Sequence, residues 1–304
     1  MDALAALLDG PRARQAFVLR TLLDPPWSLL IRDGAPLAVV ALVRGNGWLV
    51  PSDAPPIALA AGDVAVVRGP EPYLLADSPD RPPQAVVHPG EVSTDAHGAP
   101  LCDVWNLGVR TWGTRADASV VLLSGTYSMD GEVSRRLLSV LPRVAVSATE
   151  TALVSLLSAE VSRDAPGQSA VLDRLLDLLL ISVLRAHLTR DDAPPWYRAH
   201  ADPVVGHALR LLHNSPAAPW TVASLAAACS VSRAALARRF TALVGEPPMT
   251  YLTSWRLDLA ADLLRDPATT LAAVAKAVGY STPFALSTAF KRERGLSPTA
   301  HRTP

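Results

Sequence analysis

Short apolar or alternating runs fill the first half of the chain: Trp27-Ser-Leu-Leu-Ile31, Pro36 to Val50, Ile57 to Ala60, Val64 to Val67 and Val120 to Leu123. Asp33-Gly34, Gly45-Asn46-Gly47, Gly62-Asp63 and Gly69-Pro70 punctuate them, so residues 1 to about 147 read mainly as strands joined by tight turns. Many short strands of this kind suggest an antiparallel barrel or sandwich. Pro79 to Pro100, rich in Pro, Gly and Asp, reads as a long loop. The period changes near Ala148. Leu153, Leu156, Leu157 and Val161 fall at helical spacing, Pro166-Gly167 breaks the pattern, and Val171, Leu172, Leu175, Leu178, Leu179 and Ile181 to Leu184 form a second, more apolar helix. Both helices, about Ala148 to Arg163 and Gln168 to Thr189, need a partner surface, either the barrel or a second copy of the chain. Asp191-Asp-Ala-Pro-Pro195 cannot continue a helix and reads as linker. Beyond it every segment reads as short helices. The expected division is 1–190 with a helical pair at about 148–189, a linker at 191–201, and a second domain at 202–304.

Charge sharpens this division. The 304 residues carry no net charge. From Asp202 to Pro304, however, 11 Lys/Arg stand against 6 Asp/Glu, a net of +5, and from Met1 to Ala201 17 stand against 22, a net of −5. A cationic C-terminal part on an acidic N-terminal part suits one domain that faces nucleic acid and one that stays off the phosphates. Asp2 and Asp9 flank the first apolar stretch, which is not a secretory pattern. The greasiest segment, Val171 to Leu188, contains Asp173, Arg174, Asp177 and Arg185 and is too charged for a membrane span. The two cysteines, Cys102 and Cys229, fall in different domains and make no disulfide framework, so a reducing cytoplasm is the expected home.

The second domain contains a repeat. Leu225, Ala226, Cys229 and Val231 recur as Val274, Ala275, Val278 and Tyr280, and after a one-residue slip Leu236 and Phe240 recur as Leu286 and Phe290. Each copy has a first helix with a small residue where a second must approach, a short turn, a capping hydroxyl, and a second helix with apolar residues at i and i+4. Ser232 and Thr282 are the caps, Thr282 being followed by Pro283 at the first helical position. With Leu236 and Phe240 inward, Ala234, Ala237, Arg238 and Thr241 share the outward face. The matching positions of the second copy are Phe284, Ser287, Thr288 and Lys291. Such faces suit a major groove, where Arg can pair with guanine and small side chains can touch thymine methyls. Arg239, Arg256, Lys291, Arg292 and Arg294 are candidate phosphate partners. Met249 to Arg265 reads as a connecting helix about 25 Å long, able to hold the two faces about one DNA turn apart.

Gly245-Glu-Pro-Pro248, Arg256-Leu257 with Ala260 and Leu263-Leu264, Val278-Gly279-Tyr280, and Phe290-Lys291 with Gly295, Ser297-Pro298 and Arg302 together resemble the signature of the AraC/XylS family of transcription regulators. The resemblance covers about Pro203 to Arg302. It implies two helix-turn-helix units joined by a helix, with base-reading positions at Ala234, Ala237 and Arg238 and at Phe284, Ala285 and Thr288. Thr288 stands where the family often has Arg, and Phe284 and Ala285 are apolar, so the second unit departs from the family's usual reading surface. His301 replaces the usual aromatic, a packing variation. Ser232, Arg239, Thr241, Thr282, Lys291 and Arg292 complete the DNA-binding set.

The run Leu59-Ala-Ala-Gly62-Asp63-Val64 through Arg68-Gly69-Pro70 is similar to the cupin-type sensor domain that precedes many such DNA-binding domains. The fold expected is therefore α+β: an N-terminal cupin-like antiparallel β-barrel with a following helical pair, and an all-α C-terminal double helix-turn-helix domain. Metal-binding cupins need His and Glu clusters. Here Tyr73 stands where a His is expected, and only His88, His97 and Cys102 lie near one another, on and beside a loop, so no metal or cofactor is expected. Trp27, Trp48, Tyr73, Trp105 and Trp112 either line a small-molecule cavity or form core. Cys102 has no resolving partner in its domain, and Ser124 stands where some relatives have a thiol. The function expected is a sequence-specific DNA-binding regulator controlled by a small-molecule effector, with no catalytic step. Its partners are double-stranded DNA, a second copy of the chain, and RNA polymerase if it activates; no membrane is involved. The alternatives are a metal-dependent cupin enzyme fused to a DNA-binding module, a redox-responsive regulator, and an architectural DNA binder without sequence preference.

Overall fold

A computed structural model of the chain describes residues 18–90, 92–127, 131–148, 151–188 and 195–302. The chain divides into two compact units, one built on Arg12–Met129 and Leu138–Arg190, the other on Asp130–Leu137 and Asp191–Pro304.

The first unit holds two sheets. Strands β1 (Val18–Leu23), β3 (Leu37–Arg44), β6 (Asp63–Arg68), β10 (Asn106–Gly108), β11 (Thr111–Gly113), β12 (Val120–Tyr127) and β13 (Val144–Ala148) make a seven-stranded sheet in the order β10-β11-β1-β12-β3-β6-β13. Strands β2 (Ser28–Ile31), β4 (Asn46–Pro51), β5 (Ile57–Ala60), β7 (Tyr73–Ala76), β8 (Ala85–His88) and β9 (Val92–Asp95) make a six-stranded sheet in the order β5-β4-β7-β2-β8-β9. The run from Pro36 to Val50 breaks at Gly45, where the chain leaves one sheet for the other. Pairing is antiparallel except for β1 with β11 and β2 with β8. Between the sheets lies one core that takes Leu23, Ala38, Val40, Leu42, Val67 and Leu122 from the first and Leu29, Leu49, Leu59 and Leu75 from the second, closing around Trp27.

The centre of the seven-stranded sheet is buried on both faces, which is why β3 reads as an unbroken apolar run. Ala38, Val40 and Leu42 point into the barrel, while Leu37, Val39 and Ala41 are buried on the other side. Two helices, α2 (Thr151–Val161) and α3 (Gln168–Leu188), following α1 (Glu132–Val140), pack on that outer face. Their buried residues include Leu157, Leu172, Leu176, Leu179, Val183 and Leu184, so most of the apolar run faces the barrel. Gly125 of β12 makes the seating possible: a Cβ there would lie 2.7 Å from both methyl carbons of Leu176. Beside it the Tyr127 hydroxyl donates to Asp177 at 3.4 Å.

Three expectations need correction. The segment Pro79 to Pro100 is not one loop: it carries β8 and β9, runs of only four residues each, too short for alternation to stand out. Val144–Ala148 is strand β13, paired with β6, so the helical period starts later, at Thr151. In the expected linker, Pro195–Ala201 is a helix, α4, and Asp191 to Pro194 lie outside the described residues.

Filling the space above Gly125 should destabilise the protein. Gly125→Ala should cost about 1–3 kcal/mol by overpacking and Leu176→Ala about 2–5 kcal/mol. Because each relieves the other's contact, the double variant should lose less than the sum in denaturant titrations.

Candidate nucleic-acid interface

The second unit continues with α5 (Val205–Asn214), α6 (Val222–Ala228), α7 (Arg233–Val244), α8 (Pro248–Leu264), α9 (Leu271–Ala277), α10 (Pro283–Arg294) and α11 (Pro298–Arg302). The pairs α6–α7 and α9–α10 repeat each other in backbone detail. In the first turn Ser230 N–H donates to Ala227 and Val231 N–H to Ala226, both at 3.0 Å. In the second, Gly279 N–H donates to Lys276 at 3.3 Å and Tyr280 N–H to Ala275 at 2.8 Å. Ser230 (φ 56°) and Gly279 (φ 82°) hold the same left-handed position. Ala226 and Ala275, both 1% exposed, are where the second helix of each pair comes close.

Hydroxyl caps start all four helices of the two pairs, because the first N–H groups of a helix have no partner inside it. Thr221 caps α6 with Ser224 in a reciprocal capping box, and Thr270 accepts from Ala273 N–H at 3.2 Å. Ser232 accepts from Ala235 N–H at 3.2 Å and Thr282 from Ala285 N–H at 3.1 Å. Leu236, Phe240, Leu286 and Phe290 are fully buried. This orients the opposite faces of α7 and α10 outward. On α7, Ala234, Arg238 and Thr241 are exposed and Ala237 is half-buried; on α10, Phe284, Thr288 and Lys291 are exposed and Ala285 and Ser287 half-buried. Phe284 is 81% exposed, an apolar ring with no protein surface to cover it.

The helix between the pairs serves both. Leu257, Ala260, Ala261 and Leu264 of α8 share a core with Val274, Leu286 and Phe290, while Tyr251 of α8 meets Phe240 edge-on at 5.8 Å. Arg256 ties the arrangement. Its guanidinium donates to the carbonyls of Pro216 at 2.7 Å and Ala218 at 2.8 Å, and burial draws its pKa below the ordinary value. Between those two carbonyls sits Ala217, whose Cα would lie 2.6 Å from a Cβ at position 279, so only glycine fits the second turn. His301 packs edge-on against Phe290 at 5.4 Å.

The candidate phosphate partners therefore separate. Arg256 is committed to two backbone carbonyls. Arg294 is held by Asp258, and by Glu132 at 2.8 Å. Arg239 pairs with Asp202 at 2.6 Å. Burial opposes charge on Asp202, yet Val205 N–H, Arg239 and Val204 N–H hold its carboxyl below the usual range. Arg292 pairs with Glu293 at 2.8 Å on an exposed surface. Among the described residues Arg238 and Lys291 are exposed and make no ion pair or side-chain hydrogen bond. So is Arg233 at the start of α7, which the periodic pattern did not single out because it lies between cap and core positions.

In the barrel unit, Trp27 is 1% exposed and belongs to the core. Trp48 is half-buried on β4. Trp105 and Trp112 stack at 4.6 Å between ring centres, inclined by 45°. Trp112 lines an outer cleft of about 270 Å³ and, with Tyr73, an inner chamber of about 60 Å³. Burial first, and Asp33 second, push the Tyr73 hydroxyl far above its ordinary pKa. Cys102 lines the cleft, its sulfur accepting from Ser93 N–H at 3.2 Å. His88 meets Thr94 at 3.1 Å. Among the described residues no group of three or more His, Cys, Asp or Glu side chains gathers where it could hold a metal ion. Nor, among them, is any helix long and apolar enough to cross a membrane.

Residues 2–189 match the family described as Cupin and residues 225–303 that described as Helix-turn-helix domain. An AraC-like transcription regulator of Streptomyces antibioticus is 34% identical over 99% of this chain and 98% of its own. The chain belongs to the AraC family of transcription regulators. A second AraC-like regulator, of Streptomyces lividans, is 34% identical over 86% of this chain and 92% of its own. The DNA-binding domain of AdpA, solved with a target DNA, is 32% identical, covering 33% of this chain and 90% of that one, with a TM-score of 0.32.

In this AraC-family protein, Arg256→Ala should leave two carbonyls without their charged donor. The loss should be about 1.5–3 kcal/mol per hydrogen bond to a charged group at most, read as a lower unfolding midpoint. Affinity for operator DNA should fall with it, while Arg239→Ala, which removes a half-exposed partner and leaves Asp202 its two backbone N–H donors, should cost about 1 kcal/mol of stability.

Proposed function

We propose that this AraC-family protein is a sequence-specific DNA-binding transcription regulator, without a catalytic step of its own, whose barrel receives a small-molecule effector. The observation that carries the reading is the pair of outward faces on α7 and α10, fixed by duplicate caps and cores and left without protein partners. It works in the cytoplasm on double-stranded DNA, and meets RNA polymerase where it activates.

The two faces divide the work. On α7, Arg238 stands free one turn beyond Ala234, with five donors in a fixed fork that match guanine O6 and N7. On α10, Phe284 offers an apolar ring suited to thymine methyls, and Lys291 a point charge suited to a phosphate. Ser232 and Thr282, occupied as caps, place helix N-termini toward the backbone.

Arg238→Ala should relax sequence preference by roughly 1–3 kcal/mol, measured as the ratio of affinities for operator and scrambled duplex at one salt concentration. Equal proportional losses on the two duplexes would refute base reading by Arg238. Lys291→Ala should weaken both duplexes alike and reduce the salt dependence by about one ion.

A second copy of the chain is proposed to cover the helical pair. Leu156 of α2 and Val171 and Leu178 of α3 are 56%, 44% and 47% exposed, and Val171 and Leu178 lie two turns apart on one helix face. Leu178→Glu should halve the mass seen by light scattering and leave the fold intact. Leu179→Glu should instead unfold the unit, since Leu179 is fully buried.

A further inference from the structure

We propose that the outer cleft and the inner chamber of the barrel form one site for a small organic carboxylate, its charged end at Arg110 and its apolar body on Leu19, Val87 and Trp112. This deepens the reading of the barrel as effector-binding and rests on it.

The two spaces share Leu19, Val87 and Trp112 in their walls, so the same side chains line both. The outer cleft, about 270 Å³, is otherwise lined by Ser93, Cys102, Asn106, Gly108, Thr111 and Arg110, with no carboxylate among the described residues of its walls. Arg110 is held there by its backbone: φ is 45°, and its carbonyl accepts from Arg20 N–H at 2.8 Å. Among the described residues its guanidinium makes no ion pair and no side-chain hydrogen bond. An unpaired guanidinium beside an apolar wall selects an anion, and a carboxylate matches its fork.

The inner end is built differently. Trp112 is 7% exposed, and its indole N–H is buried without a hydrogen-bond partner. A buried donor left unmade costs free energy that a ligand acceptor can recover. Tyr73, 7% exposed, and Thr21, 4% exposed, line the same chamber with Ser124 and Thr126. At about 60 Å³ the chamber admits only a few heavy atoms. Asp33 also lines it and repels a second negative charge. The carboxylate must therefore stay outside, at Arg110, and a short uncharged polar tip fits within.

The test uses the full chain and four acids: hexanoate, octanoate, phenylacetate and hydroxyphenylpropanoate, each beside its neutral primary amide. Binding is followed by calorimetry and by Trp fluorescence. At least one acid should bind, about tenfold or more tighter than its amide. Arg110→Gln should abolish that preference while leaving the ligand-free melting temperature unchanged. Trp112→Phe, which keeps an aromatic ring but removes the N–H, should weaken the hydroxyl-bearing acid more than octanoate. Amides that bind as well as acids, or a preference that survives Arg110→Gln, overturn the carboxylate assignment and leave the effector barrel standing. Binding of neither acids nor amides overturns both.

Discussion

A single guanidinium holds the DNA-binding unit together. Arg256 leaves the middle of α8 and grips the loop between α5 and α6 by two carbonyls, against which the turn of the second helix pair is pressed. Each helix pair has too small a core to fix its own orientation. One rigid helix with a charged contact to a neighbouring loop sets both at once. The hydrogen bonds go to backbone carbonyls and so do not depend on the side chains of residues 216 and 218, whereas they do depend on Arg256.

Much of this unit was legible in the sequence because a repeat preserves side-chain character at core positions. Leu236 and Phe240 against Leu286 and Phe290, and Ala226 against Ala275, announce two copies of one device, and the caps Ser232 and Thr282 follow from helix chemistry. What the pattern could not show was which cations are already spent. Arg239 finds Asp202 from 37 positions away, and Arg294 finds Asp258 from 36. Partners so distant in sequence leave no local trace, and for the same reason Arg256 reads as a phosphate ligand although its guanidinium is engaged by two backbone carbonyls.

The barrel was less legible. Its strands are four to eight residues long, apart from two of three, and several have mixed burial, so alternation fades into the turns. The aromatic residues form one group in the sequence, yet they fall into different places: Trp27 fills the core, while Tyr73 and Trp112 border open space. Which aromatic lines a cavity depends on how the two sheets face each other, a matter of strand order that composition does not encode. Arg110, just before the three-residue strand β11, carries no sequence signal, because its place at the cleft depends on a left-handed backbone at a single residue.

Strand β12 has two jobs on its two sides. Leu122, Ser124 and Thr126 border the inner chamber, and Gly125, on the other side, lies against Leu176 of α3. The partition between the cavity and the helical pair is thus one strand thick, and close packing gives it no slack. Whatever swells or drains the chamber presses directly on the seat of α3. Mechanically the barrel is a thin diaphragm: a change of volume in the chamber would bear on a helix of 21 residues on the other side.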